Sequence, residues 1–456
     1  MTDNTPTVLG TQPIGKLLVQ YSIPAIIGMT VTSLYNIIDS IFIGHGIGPL
    51  GITGLAITFP LMNLVIAFCT LVAVGGATIS SIYLGQRNTE RATDVLHNVV
   101  LLCIINAVCF GLITFIFLDP ILHFFGASAE TLPYARDFMQ VLLLGTPIAF
   151  VFIGLNNIMR ATGYPKKAML SSLLTVGANI IIAPFFIFYL DWGMRGAAFA
   201  TVLSQTCGML WVLKHFYNTK SFIHFQKGRY KLQKRIIISI FSIGMSPFLM
   251  NVCACVVVII LNNSLRNYGG DMAIGAYGIV NRMLTLFVMI VMGLAQGMQP
   301  IVGYNYGAHQ FQRVRNTLKY GIIAGVSITT TGFLLSEIFP HAIVAMFTDN
   351  EALTDIANTG LRICCLMFPF VGCQIIISNF FQSIGKSPIS IFLSLSRQLL
   401  FLIPCLVILP RYFGTNGVWS SIPVSDFVAF VIALITLIIH FKKVNKKEQE
   451  QQIQAQ

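Results

Sequence analysis

The chain has 456 residues, 55% of them hydrophobic and only 10% charged, with a mean hydropathy of +0.78. Soluble domains carry about 25% charged residues, so this composition excludes a soluble enzyme or binding module and points to a polytopic membrane protein. A formal net charge of +12 would suggest nucleic acid in a soluble chain. Here the basic residues gather in the gaps between apolar runs, which fits membrane orientation and implies no nucleic-acid partner.

Residues 1–16 are polar, with Pro6, Pro13 and a single basic residue, Lys16. No small-residue cleavage site follows the first apolar run, which therefore reads as an uncleaved helix. Twelve apolar segments long enough to span follow, at approximately 17–43, 50–76, 95–118, 132–158, 166–190, 196–216, 236–264, 273–302, 316–338, 352–381, 388–409 and 416–441. The expected fold class is an all-α integral membrane protein with twelve transmembrane helices. Prolines such as Pro24, Pro147, Pro184 and Pro369 predict kinks at membrane depth.

In the first segment Thr32, Tyr35, Asn36 and Asp39 fall at i, i+3, i+4 and i+7, one polar stripe on a helix. Such a stripe must face protein or water, and its carboxylate is a candidate functional group. A carboxylate snorkelling to the interface is the alternative, because Asp39 lies roughly 6 Å from the segment end at ~1.5 Å per residue.

Of the 28 lysines and arginines, 21 lie in one alternate set of gaps and in the tail. The other set holds only Arg136, Arg195, Arg266, Arg362 and Arg411, while Arg282 and Arg397 lie within segments. This bias predicts both termini in the cytoplasm and puts Asp39 in the outer third of its helix.

An internal repeat organises the whole. Gly85, Arg91, Phe125, Pro147, Asn157 and Gly163 recur 222 positions later as Gly307, Arg313, Phe347, Pro369, Asn379 and Gly385. A shift of six helices preserves the in–out sense, so the halves are parallel repeats about an axis along the membrane normal. The expected domains are a first six-helix lobe over 1–216, a basic linker over 217–235, a second lobe over 236–441 and a tail over 442–456. Two such lobes imply a transporter with alternating access.

Oxygens from Asn156, Asn157, Asn179 and Thr201 could complete a site around Asp39, for a hard cation or a proton relay. Interhelical hydrogen bonding is the plainer role for each. In the second lobe Arg397 and Asp426 reach similar depths and either pair or line a cavity separately. Arg282, Gln296 and Gln299 are assigned with them to a second-lobe polar network. Met289, Met292 and Met298 suit an adaptable apolar pocket. All ten cysteines lie in apolar segments and read as core residues. No Walker A, HExxH or GxSxG pattern occurs, so neither an enzyme nor a resident cofactor or metal is expected.

The run Gly293-Leu-Ala-Gln296-Gly-Met-Gln299-Pro300-Ile-Val-Gly-Tyr304-Asn305-Tyr306-Gly307-Ala308 resembles the second-lobe signature of the multidrug and toxic compound extrusion family. Asp39, Gly275-Ala-Tyr-Gly278-Ile-Val-Asn-Arg282, Arg397-Gln398 before Pro404, and Gly417-Val-Trp419 leading to Asp426 add to the resemblance, which covers the whole chain and is strongest to the DinF- and MepA-like bacterial branch. It implies antiport in a bacterial cytoplasmic membrane, with amphipathic, cationic small molecules leaving in exchange for H+ or Na+. It also implies an ion site in which Asp39, Asn156, Asn179 and Thr201 match the branch's pattern. The helix 5 pattern Asn-x-x-x-Asp-Pro is broken here, where the chain reads Asn179-Ile-Ile-Ile-Ala183-Pro184, and no acid lies between Asn251 and Asn263. A lone carboxylate leans the expectation toward proton coupling. A lipid-linked oligosaccharide flippase of related fold is the alternative, which a cavity rich in arginine would favour. One chain carries both lobes, so a monomer is expected.

Overall fold

The computed structural model describes residues 7–219, 221–226, 228–347 and 350–454, without the side chains of 35–37, 271 and 445–454. Every regular element among these residues is helical, as hydrocarbon demands of a chain that must satisfy its backbone polar groups internally. Six spans form the first half: α1 (Ile14–Gly46), α2 (Pro49–Gly85), α3 (Thr89–Ile116), α4 (Leu132–Leu144 with Thr146–Ala161), α5 (Pro165–Tyr189) and α6 (Gly193–Tyr217). The second half opens with α7 (Lys234–Gly270), α8 (Met272–Gly307), α9 (Phe311–Ile338) and α10 (Glu351–Cys365 with Phe368–Ser383). The last apolar stretch, Ser387–Val444, has 58 residues. At ~1.5 Å per residue this is nearly three times the ~30 Å of a bilayer core, too long for one crossing. Non-helical Gly414 (φ 57°) divides it into α11 (387–413) and α12 (415–444), which completes the expected twelve.

The repeat is written into the backbone as well as the sequence. Positive φ occurs at Gly48 and Gly270, at Arg87 and His309, and at Gly163 and Gly385, each pair 222 apart, and at Gly193 and Gly414, 221 apart. Short helices follow α3 at Leu118–Phe124 and α9 at Pro340–Ala345, again in matching places. The bends predicted from proline are present in α4 (56°) and α10 (50°). Pro147 and Pro369 are each the second residue of the later helical piece, where a missing N–H leaves no bond unmade. Beyond Pro184, α5 widens into a π-helical stretch at Phe185–Tyr189, and α11 does so at Ser396–Leu402.

The chain forms two compact units whose boundaries cut across the repeats. The first contains 1–255, 296–317 and 382–387, and the second 256–295, 318–381 and 388–456. The first unit therefore holds the first repeat together with the basic-end portions of α7 and α8. There Ser81 of α2 and Gly303 of α8, which are repeat equivalents, lie against each other. Each repeat is also clasped by the segment that leads into the other. Arg313 donates to the carbonyl oxygens of Leu9 (3.1 Å) and Gln12 (2.6 Å), and Asn305 donates to that of Leu9 (3.0 Å), so the arm before α1 is held by the end of α8 and the start of α9. The linker before α7 is held in turn by α3. Asn98 accepts from the Gln233 N–H (2.9 Å) and donates to Lys231 O (3.3 Å), and His97 Nε2 accepts from the Gln226 N–H (3.1 Å). That bond leaves the His97 proton on Nδ1, where it is donated to Thr93 O at 2.8 Å.

In the second unit, Trp419 is buried beside Tyr277 (ring centroids 6.2 Å). Gly360 lies against the indole, and Cys364 Sγ reaches Trp419 O at 3.8 Å.

Candidate functional site

Three of the predicted first-lobe residues come from three adjoining helices. Asp39 on α1 is 6% exposed and its Oδ1 has no hydrogen-bond partner. Asn179 on α5 is 1% exposed, and neither its Oδ1 nor its Nδ2 has one. The two are level along their helices. Gly46 lies against Ile187 and Phe188, and Ile43 shares a buried cluster with Ala183 and Ile187. These neighbours lie 140 to 144 positions apart on two parallel helices, and Asp39 and Asn179 are 140 apart, one turn earlier in each helix. Buried polar atoms are nearly always satisfied, and leaving one unmade costs about 1–3 kcal/mol. Asp39 Oδ1 and both amide atoms of Asn179 are exceptions to that rule.

Thr201 on α6 donates to Ala197 O within its own helix (3.1 Å). One turn further, Gln205 presents a buried Oε1 without a partner. Sequence reasoning does not single out Gln205, although its i, i+4 spacing from Thr201 puts both on one helical face. The chemistry on offer is oxygen-rich: one carboxylate, two side-chain amides and a hydroxyl, suited to a proton or a hard monovalent cation. Ala183, at the position where the resemblance implies a second acid, is fully buried among Ile43, Ile187 and other apolar side chains. Tyr35 and Asn36 have side chains outside the described residues.

Asn156 does not join this group. Its Nδ2 donates to Ala168 O (2.9 Å) and Ser171 Oγ (2.6 Å), and its Oδ1 accepts from Arg160 (3.2 Å), so it ties α4 to the start of α5. Ala168 lies eleven residues before Asn179, roughly 16 Å along the helix.

In the second unit, the two readings of Arg397 and Asp426 resolve into a pair, with Nε 2.7 Å from Oδ1 and the Asp426 side chain 5% exposed. Arg397 is the second residue of the π-helical stretch in α11. The wider second-lobe network does not form. Arg282 is exposed and stacks over Phe347, 6.0 Å from the ring centroid. Gln296 and Gln299 belong instead to the first unit. Gln296 accepts from Arg160 and contacts Met29 Sδ at 3.4 Å, and Gln299 donates to Thr78 Oγ1 at 2.5 Å. Their place in the chain suggests the second lobe, whereas their helix end packs on the first. Of the methionines, Met298 is fully buried, and Met289 and Met292 are half-buried.

Among the described residues, twelve helices in a duplicated six-helix unit define a polytopic membrane protein of transporter architecture. The MatE family model matches twice, at residues 24–185 and 243–408, once per repeat. The chain belongs to the MatE family. It is 28% identical over 421 residues to the multidrug export protein MepA of Staphylococcus haemolyticus, covering 92% of each chain. To the MepA of Staphylococcus aureus it is 27% identical over 430 residues, with 94% of each covered. Among solved structures it resembles the MATE multidrug transporter DinF-BH, at 34% identity, TM-score 0.88, and 96% and 98% coverage. A MATE in a bent conformation shares the fold, with TM-score 0.93, 24% identity, and 98% and 99% coverage.

Proposed function

We propose that the chain is an antiporter that exports amphipathic, cationic drugs or toxic metabolites from a bacterial cytoplasm in exchange for an ion, and that Asp39 is the coupling carboxylate. The observation that carries this reading is the buried, under-satisfied pair of Asp39 and Asn179 at one level of the membrane. The multidrug export activity named for the MepA relatives and the multidrug transport named for DinF-BH support the substrate class. The excess of lysine and arginine at the α2–α3 and α8–α9 turns and in the linker supports a cytoplasmic position for that end.

The proton is favoured over sodium because Ala183 leaves Asp39 as the site's one carboxylate. A lone buried carboxylate changes charge simply by titrating, whereas sodium is better held by more anionic oxygen. Loading from outside would favour one orientation of the lobes and weaken substrate affinity, and substrate must weaken ion binding by the same factor. The test is dye efflux from a pump-deleted host with pH and sodium varied. Asp39→Asn should insert normally and abolish coupled efflux; full activity in that variant would sink the assignment. Sodium-driven efflux that survives collapse of the proton gradient would reverse the choice of ion.

A further inference from the structure

Between α2 and α3 the first unit carries a groove of about 620 Å³, with the short helix Leu118–Phe124 across one end. Apart from Asn106 and Thr114 its lining is apolar, and the Asn106 amide is already committed to Phe68 O at 2.7 Å. Its walls are stiff. Phe68 packs on Phe110 (ring centroids 4.7 Å) and is backed by Phe248 of α7 (5.0 Å), and Phe124 meets Phe125 edge-on (5.5 Å). Rings wedged in this way keep their positions and do not fold into the groove. Cys109, Ile113 and Phe117 on its rim are exposed, and so are Val108, Leu112 and Ile116 beside them on α3. A spanning helix with such a surface faces lipid.

We propose that this groove holds the acyl chain of one zwitterionic phospholipid, whose phosphate sits on Arg136 and whose ammonium sits on Asp119. The first argument is length. On α3 the groove runs from Asn106 to Phe117, about 16 Å at ~1.5 Å per residue. That is half of the ~30 Å hydrocarbon core, the depth of one leaflet. The second argument is the charge at its end. Asp119 directly precedes Pro120 of the lining, and Arg136 Nε on α4 stands 3.2 Å from its Oδ1, both side chains being half exposed. The two are close enough for an ion pair, yet Asp119 Oδ1 accepts no aligned hydrogen bond.

The repeat shows that the fold does not need this pair to be charged. The same two places 222 positions on are His341 and Asn358, which hydrogen-bond at 2.7 Å. A tie that uses an uncharged amide therefore suffices to hold the short helix to the span that follows. The opposite charges of the first repeat add little stability at such exposure, and they match the two charges of a zwitterionic headgroup. The ion pair engages Nε, one of several N–H donors on a guanidinium, so a phosphate oxygen can still be bound. An anionic headgroup would satisfy Arg136 and be repelled by Asp119. Lipid tails in general are as apolar as the groove, so the selection comes from the headgroup and the fixed walls. This inference does not rest on the antiport reading.

The test is retention of lipid by the full-length protein. It is reconstituted in equal parts phosphatidylethanolamine and phosphatidylglycerol, extracted in mild detergent and weighed by native mass spectrometry. One phosphatidylethanolamine per chain should persist, with a preference over phosphatidylglycerol of about tenfold. Asp119→Asn and Arg136→Gln should each remove that preference. Leu64→Trp, which sets an indole into the groove, should release the lipid, whereas Leu112→Trp, exposed on α3 and outside the lining, should keep it. Equal retention of the two lipids by the parent, or retention unchanged in Leu64→Trp, would overturn the inference.

Should Leu64→Trp fail to accumulate, the native Cys109 of the lining gives an independent reading. Its alkylation by N-ethylmaleimide in detergent, followed by peptide mass spectrometry, should be about fivefold slower with phosphatidylethanolamine added than with phosphatidylglycerol, because a bound chain shields the thiol. The difference should vanish in Arg136→Gln. Equal rates in the parent would count against a lipid in this groove.

Discussion

Arg397 Nε stands 2.7 Å from Asp426 Oδ1, joining α11 to α12 at a place where the carboxylate is buried. Removing Arg397 leaves the Asp426 carboxylate buried and unpaired, at a cost of about 3–5 kcal/mol, whereas replacing both with apolar groups is often neutral. Asp426→Asn and Arg397→Gln should each lower the melting temperature of the purified protein, and Arg397→Met with Asp426→Leu should recover most of it. Singles as stable as the parent would show that the pair contributes little.

Asn179 separates stability from function. Its amide is buried with both atoms unsatisfied, so Asn179→Leu removes two polar atoms whose hydrogen bonds are unmade. The variant should be as stable as the parent or more so, by about 1 kcal/mol, and should lose ion-coupled efflux. Retained coupling with raised stability would take Asn179 out of the site.

Asn156 should behave in the opposite way. Asn156→Ala breaks the tie from α4 to Ala168 and Ser171 and strands buried partners, for a loss of about 1–3 kcal/mol. The pH and sodium dependence of the efflux that remains should match the parent. A shifted ion dependence would return Asn156 to the coupling group.

The linker offers a check by proteolysis. Asn98 is fully buried and holds the backbone at Lys231 and Gln233. Asn98→Leu should free that stretch, and trypsin added to the basic face should cut after Lys231 or Lys234 markedly faster than in the parent. Equal cleavage rates would mean the linker is held elsewhere.

Much of this can be read from the chain alone, for identifiable reasons. Twelve spans and their pairing follow from apolar run length and a constant numbering offset, and both survive because hydrocarbon tolerates few alternatives. The helix ends reach further than the apolar runs. α2 runs to Gly85 rather than 76, and α8 to Gly307 rather than 302, because helices continue past the hydrocarbon wherever another helix covers them. Asp39 and Asn179 are legible as polar groups in apolar runs. Asn156 is not, since a polar residue on a helix does not say which neighbour it faces, and Ala168 with Ser171 claims it. Chain membership assigns Gln296 and Gln299 to the second lobe, whereas their partners Arg160 and Thr78 are in the other repeat. Similar depth offers the pairing of Arg397 and Asp426 as one of two readings, and the 2.7 Å contact selects it.

Ser81 and Gly303 are the same position in the two repeats, and they touch. If the halves descend from one six-helix ancestor that paired with its own copy, a single residue had to meet itself there. Two glycines would leave a gap, and two serines would overlap, since even a methyl on Gly303 would run into the Ser81 hydroxyl. Joining the copies in one chain removed that constraint and let the two sides become unequal, one supplying the bulge and the other the hollow. In this chain, then, the two repeats are unequal where they meet, Ser81 supplying the bulge and Gly303 the hollow.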